Sequence, residues 1–357
     1  MHSKEHIKWL EENNLLSIAK NNSHHFERVL KNCMKLSNEK LLIVGDQGFS
    51  QRNVAALMAA GYYVAAKNLG IETNLIIQQV KNTNDSADKS VVEALESLPE
   101  KNAIALCLSN KLGSIKELSL SYRNFVRVRE HKFVSTTSIG SLNTQHFPYM
   151  MNAIDVNYEE MAKRGNHIKE ILSAGSEVNV KTALGTDINF DISGKDAIAN
   201  IGDYYNFGHG GNIPAGETYI PPNGKNGVNG KFVIDASLRH KNGTSLPKHP
   251  VTIHVENGDV IDYEGQEEAQ WLKETIEQAK ERAKRPDNVG KVCELGIGIN
   301  PNAKLIGSTI IDEKVLGTCH IAIGSNKWFG GDIKTIVHLD QVMNNPEIYV
   351  DGKLLKY

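Results

Sequence analysis

Four side chains toward the end of this chain, Glu294, His320, His338 and Asp340, are of types that bind divalent metals, and each sits in a short apolar, strand-like run. Carboxylates and imidazoles are seldom buried inside a sheet without a partner, because an uncompensated charge away from water is costly. In the run Ile-Val-His-Leu-Asp-Gln-Val over 336–342, the strand period of two puts His338 and Asp340 on one face. A divalent cation is the simplest partner that makes such burial favourable.

The neighbours of the other two support the same chemistry. In the run containing Glu294 the strand face continues as Gly296 and Gly298, which leaves open space beside a carboxylate. His320 is followed on its face by Ala322 and Gly324, so two strands each place a metal-type residue before small ones, as in a shared cavity. The competing readings are an edge strand with Glu294 in water and a core histidine satisfied by hydrogen bonds. Upstream, Glu217 closes a Gly- and Pro-punctuated loop over 208–222, a backbone constrained enough to hold a side chain in place, or only a turn-closing carboxylate in water.

These residues need elements to position them, and the chain changes texture along its length. Residues 5–38 read as helix broken near Asn21–Ser23. Then strand signals at 40–45, 73–77 and 103–108 alternate with helical patterns at about 52–69 and 86–97. Such alternation predicts a parallel sheet wrapped by helices. Beyond about Tyr158 the pattern is a helix at 159–173, alternating strands at 177–182 and 186–192, short strands at 231–235, 249–256 and 259–263, and an amphipathic helix over 266–284. The candidate strands and an Asp351-Gly352 hairpin close the chain. The expected fold is therefore an α/β N-terminal domain with a parallel sheet over 1–158 and an α+β, mostly antiparallel metal-binding domain over 159–357.

Composition narrows the partners. At 357 residues the chain is long enough for two cores, and 40% hydrophobic with 23% charged residues is ordinary for a globular protein. A net charge of -2 and the lack of a basic block argue against nucleic acid or an anionic membrane as the partner. With no signal-peptide pattern and no apolar run near the roughly 18 residues of a membrane span, a cytoplasmic protein is expected. Four widely spaced cysteines read as reduced thiols. Val44-Gly45-Asp46-Gln47-Gly48 follows a strand, but it lacks the glycine spacing of a dinucleotide fingerprint and reads as an ordinary strand-to-helix turn.

Five separated segments carry a resemblance in their order: Asn212-Ile213-Pro214-Ala215-Gly216-Glu217, Cys293-Glu294-Leu295-Gly296, the Gly317–Gly324 run around His320, His338-Leu339-Asp340, and Tyr349-Val350-Asp351-Gly352-Lys353-Leu354. Together they resemble the M29 (aminopeptidase T/aminopeptidase S) metallopeptidase family over about 165–357. The resemblance implies a homodimeric aminopeptidase, a hydrolase that removes N-terminal residues from small peptides. It would use two divalent ions, zinc or cobalt, held by Glu217, Glu294, His320, His338 and Asp340. Glu217 would be a bridging ligand or the carboxylate that takes the proton of the metal-activated water.

Two departures point to a second reading. The tyrosine that follows the equivalent of His320 by about seven residues in those peptidases is missing, and the His320-to-His338 interval is short. The 2,5-dihydroxypyridine 5,6-dioxygenases resemble the same family but use one Fe(II), which implies Glu294, His338 and Asp340 as its ligands. His209 or His320 would then orient a small-molecule substrate or move its protons. Trp328, in the place of the absent tyrosine loop, and Lys327 beside it are candidate substrate-binding residues, with core packing, a dimer contact or a solvated lysine as their plainer readings. His24, His25 and His131 read as solvated.

Overall fold

The computed structural model describes residues 2–357 and divides them into two units: the chain up to Tyr158 together with Gly202–Ala215, and Glu159–Ile201 together with Gly216–Tyr357. The first unit holds a five-stranded sheet in the order Thr73–Gln78, Leu41–Asp46, Ala103–Cys107, Lys132–Thr136, Gly210–Asn212, with every pair parallel. Its strands Leu41–Asp46 and Ala103–Cys107 are largely apolar and buried throughout, as in a sheet covered on both faces. The chain passes between the units three times, after 158, after 201 and after 215. Residues 202–215 return to the first unit, because Gly210–Asn212 adds its backbone to the open edge of Lys132–Thr136.

Gly45, inside the strand Leu41–Asp46, is a packing device. A Cβ on Gly45 would lie 2.7 Å from the Ala59 Cβ, so the glycine lets the helix Val54–Asn68 press onto the sheet. Asp46, fully buried, accepts hydrogen bonds from the Ser109 backbone N–H and hydroxyl, both at 2.6 Å, and from the Gly48 N–H at 3.0 Å.

The second unit contains two seven-stranded sheets in which all pairs are antiparallel. One is built around Glu177–Lys181, Asp187–Asp191 and Val228–Ile234, whose alternate residues Val178, Val180, Ile188, Phe190 and Phe232 are fully buried. The helix Glu267–Arg282 buries the expected stripe of Ala269, Leu272, Ile276 and Ala279. The other sheet runs in the order Gly243–Ser245, Ser237–His240, His338–Asn344, Thr318–Gly324, Val292–Gly298, Glu217–Ile220, Ile198–Asn200. Parallel in the first unit and antiparallel in the second, the architecture is the one expected. Among the described residues no helix is long and apolar enough to cross a membrane, and all four cysteines are free and buried.

Candidate metal centre

Register alone brings the five candidate ligands together. In the second sheet of the second unit, Glu294 pairs with Ala322 and Ala322 with Asp340; Gly296 pairs with His320, Gly298 with Glu217, and Gly324 with His338. Directly paired residues of an antiparallel ladder share a face, and alternation keeps every second residue on it. Glu217, Glu294, His320, His338 and Asp340 therefore project from one face of four adjoining strands. All except His338, which is partly exposed, are buried.

The two glycines do not leave the open space expected beside Glu294. A Cβ on Gly296 would stand 2.1 Å from His320 Nε2, and one on Gly298 would stand 2.1 Å from the Val315 carbonyl oxygen. Small residues here let the imidazole lie across one strand and let a loop close over the next.

His320 Nε2 lies 3.3 Å from Glu294 Oε1 and 3.7 Å from Glu217 Oε2. His338 Nε2 lies 3.4 Å from Glu294 Oε2 and 3.1 Å from Asp340 Oδ1. Glu294 thus joins the two imidazoles, and one donor atom each from Glu294, His320 and Asp340 lie within 4.8 Å of one another. His338 Nδ1 is 2.8 Å from the Ser325 carbonyl, which only accepts, so Nδ1 carries a proton, and Nε2 faces the carboxylates, where a metal displacing its proton would meet the lone pair. Asp340 Oδ1 is buried, with His338 Nε2 3.1 Å away. An oriented imidazole, a bridging glutamate and a buried aspartate oxygen form a donor set that fits a divalent cation.

The charges of this group are strongly coupled. Burial lifts the Glu294 pKa above the ordinary carboxylate value, against the pull of His320 and His338. Burial also opposes charge on His320, but Glu294, Asp340 and Glu217 outweigh it and raise its pKa to about 9. His338 is likewise driven up by Asp340 against burial. Asp340, which burial would raise, is held well below its usual range by His338 and His320. Without a cation, protons on the imidazoles neutralise the carboxylates; a metal would displace them.

Three residues not anticipated from the sequence, Lys314, Glu313 and Asn200, complete the group. Lys314 is 0% exposed, with its Nζ 2.6 Å from Glu217 Oε1 and ion-paired to Glu313. Burial opposes its charge, but Glu217 and Glu313 hold its pKa above the ordinary lysine value; burial lifts that of Glu313 to about 8. Asn200 Nδ2 also donates to Glu217 Oε1, at 3.1 Å. In the sequence, Asp312-Glu313-Lys314 looks like any solvated charge run, and only the fold buries it.

The Trp328 indole packs edge-on against the His338 ring, centroids 4.9 Å apart, yet stays 55% exposed. Phe329 beside it is buried against Tyr219. Lys327 is exposed in the same short turn, Lys327–Phe329. His209 belongs to the first unit, in the exposed approach to Gly210–Asn212. His131 is not solvated: it is 0% exposed, its Nδ1 accepts from the Asn102 N–H at 3.3 Å, and burial drops its pKa to about 4.

Comparison with known proteins sorts the two readings. A solved 2,5-dihydroxypyridine dioxygenase from Pseudomonas putida KT2440 superposes with a TM-score of 0.71 at 16% identity, covering 93% of this chain and 94% of that one. Wild-type AmpT from Thermus thermophilus superposes with a TM-score of 0.61 at 14% identity, covering 94% and 96%. At those identities both describe the fold alone. In sequence, a curated 2,5-dihydroxypyridine 5,6-dioxygenase of Pseudomonas putida is 23% identical over 207 residues, which span 55% of this chain and 57% of that relative. The family described as NicX, 2,5-dihydroxypyridine 5,6-dioxygenase, matches residues 21–355. The expectation of a hydrolase, a metallo-aminopeptidase releasing N-terminal residues, is overturned by that match. The motifs behind it belong to a fold that both groups have in common, so they could not separate peptide hydrolysis from ring cleavage. Matched over nearly its whole length, this chain belongs to the NicX, 2,5-dihydroxypyridine 5,6-dioxygenase, family.

Proposed function

We propose that this protein is a ring-cleaving dioxygenase acting on a small hydroxylated nitrogen heteroaromatic of the 2,5-dihydroxypyridine type, with one Fe(II) held by Glu294, His338 and Asp340. The observation that carries the reading is the convergence of buried Glu294 and Asp340 on His338 Nε2, at 3.4 and 3.1 Å, with the ring oriented by the Ser325 carbonyl. Family membership selects oxygen chemistry over hydrolysis. When bound, Fe(II) would supply open positions where oxygen and a ring oxygen of the substrate can meet.

The remaining groups have roles that follow from their places. His320 Nε2, 3.3 Å from Glu294 Oε1, completes the donor set or holds a proton for the substrate hydroxyl. Trp328 offers an exposed aromatic surface beside His338 on which a flat ring can rest. Lys327, in the same turn, can pair with an ionised ring oxygen. His209 is not part of this reading. The homodimer implied by the resemblance is carried with it, and light scattering on the eluting protein checks that state.

A dioxygenase inserts both oxygen atoms, and opening one ring bond balances the four electrons taken up by O2, so no separate reductant is needed. The test is oxygen consumption by protein loaded with Fe(II) without air, then given 2,5-dihydroxypyridine and oxygen. Uptake with loss of the ring absorbance, abolished by a chelator, is expected. An iron-loaded protein that consumes no oxygen with any dihydroxypyridine isomer would overturn the reading.

A further inference from the structure

We propose that the Lys314 ammonium takes the position of a second cation in this cluster, so that the site binds one divalent ion and excludes another. The inference rests on the single-metal reading above and deepens it. Four carboxylates, Glu217, Glu294, Glu313 and Asp340, are gathered in the group. Glu294 and Asp340 face His338, whereas Glu217 and Glu313 both pair with Lys314. Both donor positions of Glu217 are engaged: Oε1 by Lys314 and Asn200, and Oε2 toward His320 at 3.7 Å.

The lysine is built in by its backbone. The Asn300 N–H donates to the Lys314 carbonyl at 2.8 Å, the Leu316 N–H to the Asn300 carbonyl at 3.0 Å, and the Lys314 N–H to Ile311 at 3.0 Å. These bonds fasten the segment alongside the Glu294 strand. Gly298, directly opposite Glu217, is what admits it: a Cβ there would come within 2.9 Å of the Lys314 carbonyl carbon and 2.1 Å of the Val315 oxygen. A side chain 0% exposed and held at its root cannot swing out to make room for a metal. Replacing an ion by an ammonium satisfies Glu217 and Glu313 while leaving Glu294, His338 and Asp340 for the one ion that remains.

The experiment strips metal from the full-length protein with a chelator, titrates it with Co(II) alone, and counts cobalt per chain while following its visible absorption. Wild type and Lys314→Arg should bind one ion. Lys314→Gln should bind two, the second with a new absorption band, and Glu217→Gln should bind one with affinity changed less than about threefold. Two ions on the wild type, one ion on a Lys314→Gln variant whose circular dichroism shows it folded, or loss of the ion in Glu217→Gln would each overturn the assignment. If Lys314→Gln does not fold, the wild-type and Glu217→Gln titrations decide. Oxygen uptake by the Fe(II)-loaded protein is a separate readout: its failure while the cobalt titration still gives one ion would sink the dioxygenase reading and leave the role of Lys314 standing.

Discussion

Both units bury charged and polar side chains, but they satisfy them differently. In the first, Lys132 and Glu39, each less than a tenth exposed, neutralise one another, Asp46 collects three donors, and buried His131 accepts from a backbone N–H. In the second, His338 is oriented by the Ser325 carbonyl toward Glu294 and Asp340, and one donor atom each from Glu294, His320 and Asp340 lie within 4.8 Å of one another. Burial of charge therefore does not by itself mark a functional site. What distinguishes the second unit is a buried cluster of carboxylates and imidazoles on one sheet face, whereas the first unit's group of His24, His25 and Asp155 is exposed or half-buried.

The comparison breaks most visibly if ligands are removed. His338→Ala and Asp340→Ala should each weaken metal binding by at least about 100-fold, more than the loss seen on removing outer partners of metal ligands. Oxygen uptake should vanish with it. Calorimetric metal titration checks this, and retention of stoichiometric tight binding in either variant would refute the ligand set. The counterpart in the first unit is Lys132→Met, which strands Glu39 in the interior. Denaturant unfolding should show a loss of about 3–5 kcal/mol with no change in bound metal. A variant as stable as the parent would mean that Glu39 reaches water.

pH separates the units further, with opposite signs. The Glu39 pKa, which burial would raise, is held at about 2 by Lys132 and backbone N–H groups, below its ordinary 4.5. Its stabilising contribution is present above about 4.5 and fades as pH falls toward 2. His320 is raised from 6.5 to about 9 in the metal-free cluster, so its contribution is complete below 6.5 and is lost as pH rises through 9. Because a metal must displace that proton, Co(II) affinity should climb between pH 6 and about 9, with proton release measurable in buffers of different ionisation enthalpy. A flat profile would contradict it. The smallest effect expected is from Trp328→Ala, which removes a ring surface worth about 1 kcal/mol. KM should rise about fivefold at unchanged iron content, and an unchanged KM would place the indole outside the substrate site.

Much of this was legible in the sequence where periodicity carries it. Alternation alone put His338 and Asp340 on one face, and the register confirms that placement. The alternating helix and strand pattern of the first 110 or so residues predicts the parallel sheet that forms. The strand Lys132–Thr136 was not legible because it is short, begins with lysine and ends with serine and threonine. Lys314 was hidden for a stronger reason: it lies just beyond the four-residue helix Thr309–Asp312, where no period constrains which way a side chain points. The purpose of Gly296 and Gly298 was equally out of reach, since the sequence shows a missing side chain but not what fills its place.

The central claim is that one metal at Glu294, His338 and Asp340 performs oxygen chemistry. It is tested most directly by counting the oxygen consumed per 2,5-dihydroxypyridine ring opened by protein carrying one Fe(II) per chain, with Asp340→Ala alongside. The account predicts one O2 per ring in the parent and none in the variant. Ring loss without oxygen uptake, or full uptake by the Asp340→Ala variant, would contradict it.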